Sequence, residues 1–244
     1  MKRSSWIIFG AALAASLAAQ PVASPATPPP IPAATPSEPA PPIPPSAGLD
    51  AMTVLFDGKT FDGWDVNPAN WTIQDGAMHG TGKWCLALTR QDYGSFRLIV
   101  TSRVVLPEIN NGSAHLGILF WGSRPAAGNY TPKGTGMLNL QPPYGSIWDY
   151  GPNKNAPVDH LIPKNDNRLR WHDWHTSEVL ANFQTGEIRM AVDGVELIRY
   201  KHADPAALKK GPIALQVHSG KSVVEYKDIR IEVDPKVDKL ITLK

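Results

Sequence analysis

The stretch HLGILFWGSRPAAGNYTPKGTGMLNLQPPYGSIWDY, from His115 to Tyr150, decides the fold. Two alternating apolar runs, Leu116-Ile118-Phe120 and Leu138-Leu140, are joined by a loop rich in Gly, Pro, Asn and Arg. A third short run, Ser146-Ile147-Trp148-Asp149, follows the turn at Pro142 to Gly145. Successive side chains of an extended backbone leave on opposite faces, so a period of two between turn residues belongs to antiparallel strands. If Leu116, Ile118 and Phe120 turn inward, then His115, Gly117, Leu119 and Trp121 turn to the other face. Asn139 and Gln141 likewise share the face opposite Leu138 and Leu140. A face carrying Trp, Asn and Gln, flanked by Arg124 and Tyr130 in the long loop, suits a polar ligand with apolar ring faces.

The flanking sequence repeats the pattern. Thr53 to Phe56 is a short strand closed by the turn Asp57-Gly58-Lys59, with a second turn at Asp62-Gly63 before Trp64. Trp71 to Ile73 and Ala77 to His79 form a hairpin across Asp75-Gly76, because Asp-Gly accepts the positive φ of a tight turn. Phe96 to Val104 is a longer strand, apolar at most even positions, with Ile99 on the opposite face. Strands follow over Trp174 to Phe183, Glu187 to Val192 and Glu196 to Tyr200, the last two paired across Asp193-Gly194. One helical turn is expected from Pro205 to Lys209, then strands at Ile213 to Val217 and Val223 to Val233. Helical periodicity is nearly absent. The expected fold is all-β, an antiparallel sandwich of two sheets. The Pro- and Asn-containing segment Gly151 to Arg170 is long for a plain connection and reads as a lid or binding loop.

Composition bounds the partners. The 244 residues are 42% hydrophobic with a formal net charge of +2. Lys2 and Arg3 begin a basic, apolar, small-residue segment ending near Ala19, the order of an export signal, so residues 1–19 are expected to be cleaved. The apolar run is short for a membrane span, and no stable membrane insertion is expected after cleavage. The remainder is near neutral, which gives no field for nucleic acid or an anionic membrane. Residues 20–48 hold twelve of the 24 prolines and read as a disordered, extended spacer. The folded domain is expected over residues 50–244, in an exported chain, periplasmic or extracellular. Cys85 is the single cysteine, so no internal disulfide forms, and its apolar run Trp84 to Leu88 marks it as a core residue.

Leu55-Phe56-Asp57-Gly58-Lys59 with Gly63-Trp64, the Asp75-Gly76-Ala77 turn and the closing GPIALQVHSGKSVVEYKDIRI resemble the 3-keto-disaccharide hydrolase family. The resemblance covers residues 53–233 and implies a jelly-roll sandwich similar to concanavalin-like lectins and glucanases. The family's Glu-x-Gln pair on the central strand is matched by Asn139 and Gln141. Its Glu-Trp-Asn segment is matched by Asp173, Trp174 and His175. The closing Leu-Gln-x-His-Gly segment is matched by Leu215, Gln216, Val217 and His218, with Ser219 before Gly220. Asn139 in place of a carboxylate is this chain's departure from the pattern.

Read as chemistry, Gln216 and His218 share one strand face, opposite Ile213, Leu215 and Val217, and would join Asn139 and Gln141 on one concave sheet. His218 is a candidate base, since imidazole exchanges protons near neutral pH, or a strand-end partner of a backbone carbonyl. Asp149 is a candidate acid or base, or a turn anchor. Arg124 binds a substrate oxygen or pins its loop to a carboxylate. Trp121 is either a stacking platform or core. Tyr130, Asn139, Gln141 and Gln216 complete the substrate-contact set, and Glu178 and Glu225 are weaker carboxylate candidates. Ordinary glycoside hydrolysis needs two carboxylates across the scissile bond, and no close pair announces itself. The resemblance implies another route, in which a 3-keto group acidifies the C2 hydrogen and the C1 substituent leaves by elimination. The partner is carbohydrate. No cofactor is expected; a divalent metal could steady the enolate, but scattered histidines such as His79, His175 and His218 form no ligand motif. The alternative is a non-catalytic carbohydrate-binding or cell-envelope module.

Overall fold

Asp75-Gly76 and Asp193-Gly194 both take the left-handed backbone their sequence favours, with φ of 48° and 75° in the first and 50° and 82° in the second. Each closes the expected hairpin. The computed structural model describes residues 48–82, 85–106, 116–126, 159–161, 170, 172–218 and 222–244. The chain divides into two units, Met1–Thr35 and Pro36–Lys244, and every described residue lies in the second. The signal segment and nearly all of the spacer lie outside the described residues, as do Tyr130, Asn139, Gln141 and Asp149.

The strands in chain order are β1 (Thr53–Val54), β2 (Trp64–Asp65), β3 (Trp71–Gln74), β4 (Ala77–Thr81) and β5 (Cys85–Tyr93). Next come β6 (Phe96–Leu106), β7 (Leu116–Leu119), β8 (Asp159–His160) and β9 (His175–Asn182). The last four are β10 (Glu187–Val192), β11 (Val195–Lys201), β12 (Gly211–Val217) and β13 (Val223–Val233). The helical turn is a single 3-10 turn, Pro205–Ala207. Two antiparallel sheets result among the described residues. The large one runs β3-β4-β13-β6-β9-β10-β11-β8 with β1 paired to β13, and the small one runs β2-β5-β12-β7. The expected two-sheet, all-β sandwich is the observed fold.

Alternation assigns each sheet an inner face. Leu98, Val100, Val104, Val224 and Tyr226 of the large sheet share one core cluster with Cys85, Leu116, Ile118, Leu215 and Val217 of the small sheet. Burial pushes the Cys85 thiol up, which suits the inert core role. The outer face of the large sheet is roofed in part by both ends of the domain. Ile99 packs under Leu49 and Met52 with Ile241, and Leu180 and Ala191 under Leu240. Polar groups join this roof. Glu178, fully buried, accepts from Arg97 Nε at 2.9 Å, Thr242 N at 2.8 Å and Thr242 Oγ1 at 2.7 Å. Arg97 in turn pairs with Glu232 and donates to Val237 O and Lys239 O.

Glu225 also faces outward on the large sheet, between His79 Nδ1 at 3.0 Å and Arg103 Nε at 2.6 Å. Both weaker carboxylate candidates are therefore held in ion pairs on the face away from the small sheet.

Candidate active site

The outer face of the small sheet carries a second apolar cluster, Leu86, Leu88, Leu119 and Ala214. By alternation with Ala214 on β12, Gln216 belongs to this face. It pairs in register with Leu86 on β5 and Gly117 on β7. Gln216 is fully buried, and neither Oε1 nor Nε2 has a hydrogen-bond partner. A buried donor or acceptor without a partner costs about 1 to 3 kcal/mol. Trp71 Nε1, Ser102 Oγ and Ser177 Oγ are also unpaired, but those side chains turn to the core side. Gln216 alone among these combines an unpaired donor and an unpaired acceptor on the outer face.

Gly117 makes the position possible. A Cβ there would lie 2.7 Å from Gln216 Oε1 and 3.1 Å from Gln216 Cβ, so the amide occupies the space of a missing side chain. The signal in the sequence was a glycine inside an otherwise apolar strand. From the core side, Tyr226 of β13 donates its hydroxyl to Gln216 O at 2.8 Å, with Gly117 O 3.3 Å away. Burial raises the phenol pKa, so the group is a neutral donor. Nothing in the sequence pattern singled out Tyr226 from other apolar-face residues. His218 follows β12 directly, two residues after Gln216, and is half-buried. The structure thus brings Gln216, Gly117 and His218 to one end of the small sheet, at the C-terminal end of β12.

Two candidates sit elsewhere. Trp121 does not continue the outer face of β7. Its φ of 56° breaks the alternation, and the ring turns into the core, 4% exposed, with Nε1 donating to Gly94 O at 2.8 Å. Edge contacts to Phe120 and Phe183 complete its packing. The expected outward placement of Trp121 is therefore corrected, because a left-handed residue rotates its side chain out of register. Arg124 clamps the chain after β7 to β5 and β2. Its Nη2 donates to Thr89 O, Arg90 O and Asp92 Oδ1 at 2.9, 3.0 and 2.7 Å, and Nη1 reaches Asp65 Oδ2 at 3.4 Å. The loop-pinning alternative describes these contacts.

His175, matched above to the family's Asn, is a structural latch. Its Nδ1 meets Asp193 Oδ2 and its Nε2 meets Arg170 O, each at 2.7 Å. Among the described residues no group of three or more His, Cys, Asp or Glu is placed to hold a metal ion.

The sandwich is shared with solved carbohydrate-active proteins. A provisionally assigned glycosyl hydrolase from Parabacteroides distasonis superposes with a TM-score of 0.54 at 16% identity, covering 78% of this chain and 98% of its own. The carbohydrate-binding module CBM66 from Bacillus subtilis superposes at 0.50 with 12% identity, over 70% of this chain and 95% of its own. At these identities the likeness establishes the fold. No curated protein matches the chain. The chain belongs to the carbohydrate-active family described as the 3-keto-alpha-glucoside-1,2-lyase-like domain, which matches residues 51–232.

Proposed function

We propose that this domain cleaves glycosides oxidised at C3 of the sugar, by elimination followed by hydration. The observation that carries the reading is Gln216, whose buried amide has both a donor and an acceptor unused on the outer face of the small sheet. A sugar oxygen and hydroxyl supply the complementary pair, and the unused hydrogen bonds are then made in the complex. In the proposed reaction the C3 ketone acidifies C2–H, and His218 removes that proton. Electrons collect on the C3 oxygen as an enolate, which a Gln216 N–H steadies. Collapse of the enolate expels the C1 oxygen substituent and leaves a C1=C2 double bond. Addition of water across it, hydroxyl to C1 and proton to C2, completes net hydrolysis. Asp149 is the second candidate base, and Gln141, Asn139 and Tyr130 remain candidate substrate contacts. The Lys2-Arg3 leader and proline spacer support action outside the cytoplasm.

Asn139, standing where the family pattern has Glu, supports a second reading as a non-catalytic carbohydrate-binding module. The test is incubation of the full chain with 3-keto-glycosides and with the parent glycosides in deuterated water. Release of 3-keto-sugar labelled at C2, lost in His218→Ala, is the expected result. Unlabelled product would refute elimination, and saturable binding without turnover would establish the binding module instead.

A further inference from the structure

We propose that Tyr226 is a positioning residue for the Gln216 site, fixing from the core side the backbone that carries the Gln216 amide. The inference rests on the proposed role of Gln216 and adds to it a residue that never meets the sugar. Its basis is a coincidence of register. The two carbonyls nearest the Tyr226 hydroxyl belong to Gln216, at 2.8 Å, and Gly117, at 3.3 Å. These residues face each other across β12 and β7, and on the far side of the sheet the Gln216 amide lies over Gly117. The hydroxyl therefore ties a strand of the large sheet to both strands under the site.

The anchor is itself held. Tyr226 is fully buried and its ring packs against Trp71 at a centroid distance of 6.1 Å. Trp71 also closes over Gly80, where an added Cβ would lie 2.7 Å from the indole and 2.6 Å from Val217 Cγ2. The Gln216 backbone is thus braced by a hydrogen bond at one residue and by aromatic packing beside Val217 at the next. A side chain with no hydrogen-bond partner of its own has only packing and backbone to set its direction. A misplacement of about 1 Å at a reacting group can cost on the order of 100-fold in rate.

Tyr226→Phe removes the hydroxyl and keeps the ring. With a 3-keto-glycoside as substrate, kcat is expected to fall about three- to tenfold with KM nearly unchanged, because the affected contact tightens in the transition state. In a Gln216→Ala background the same substitution is expected to have no further effect on kcat. An equal effect in both backgrounds overturns the proposal, as does an unchanged kcat. A readout independent of turnover separates this inference from the proposed reaction. In the ligand-free full chain, the Gln216 side-chain amide resonances, assigned by their loss in Gln216→Ala, are expected to shift or broaden in Tyr226→Phe. Unchanged Gln216 resonances refute the positioning role even where the wild-type chain turns nothing over. Should the variant fail to fold, the wild-type chain still decides: a resolved, slowly exchanging Tyr226 hydroxyl proton is expected, and its absence overturns the proposal.

Discussion

Replacing Arg97 with Met tests the buried network that ties the C-terminal segment to the large sheet. Arg97 and Glu178 are 3% and 0% exposed at their side chains, so neither charge is solvated once its partner is gone. Removing one member of such a pair typically costs about 3 to 5 kcal/mol. Two features of the site act in opposite directions within that range. Glu178 keeps donors from Ile241 N, Thr242 N and Thr242 Oγ1, which lower the cost. The substitution also strips Val237 O and Lys239 O of their Arg97 donors, which raises it. An expected loss of about 3 to 5 kcal/mol corresponds, for a domain of this size, to a fall in Tm of roughly 6 to 20 °C. Urea unfolding of the full chain at neutral pH, followed by tryptophan fluorescence and far-ultraviolet circular dichroism, measures it. The double variant Arg97→Met, Glu178→Leu is expected to regain part of the loss, since the one carboxylate it leaves without Arg97, Glu232, is partly exposed to solvent, while orphaning the backbone amides of Ile241 and Thr242. A single-variant loss below about 1 kcal/mol would refute the reasoning, because it would mean the tail's donors alone satisfy Glu178.

Burial alone would depress His175, but its hydrogen bonds to Asp193 and to Arg170 O outweigh that and raise its pKa above the ordinary value of 6.5. A pKa raised on folding stabilises below the unfolded value and is lost as pH rises through the folded one, so unfolding free energy should decline from about pH 6 upward and flatten in His175→Gln. Glu196 is held at about 2 by Arg199 first and Arg189 second, so its stabilisation is present above its ordinary value of 4.5 and fades as pH falls from there toward 2. Acid titration of Glu196→Gln should lack that limb. Gly80→Ala places a methyl 2.6 Å from Val217 Cγ2 and is expected to cost about 1 to 3 kcal/mol in urea melts, as overpacked cores do.

The elements legible in the sequence were those whose local chemistry and burial agree. The hairpins at Asp75-Gly76 and Asp193-Gly194 follow from turn residues that tertiary packing had no reason to override, and the strand Val223–Val233 from apolar alternation on either side of a bulge, where Asp228 takes a φ of 51° and the inward set passes from Val224 and Tyr226 to Ile229 and Ile231. The β5 strand, Cys85–Tyr93, showed only as an apolar run, because both faces of its first part, Cys85 to Thr89, are buried and alternation vanishes there. Trp121 was misplaced for a related reason: period two predicts a side only while φ stays extended, and nothing local announces a left-handed tryptophan. Gln216 was legible through its place opposite Leu215 and Val217. Its unpaired state was not, since satisfaction of an amide depends on residues such as Gly117, 99 positions away in the chain. Tyr226 belongs to the same class, a long-range contact between sheets with no local signature.

Both ends of the described domain rest on the outer face of the large sheet, where Gly48 would touch Ile241 Cδ1 at 3.3 Å if it bore a Cβ. Gln216 lies buried on the outer face of the other sheet. A tether, tag or fusion partner attached at either end of the described domain therefore departs from the large sheet, and immobilisation on a solid support by one terminus leaves the small sheet, with the proposed Gln216 site, on the side away from the attachment.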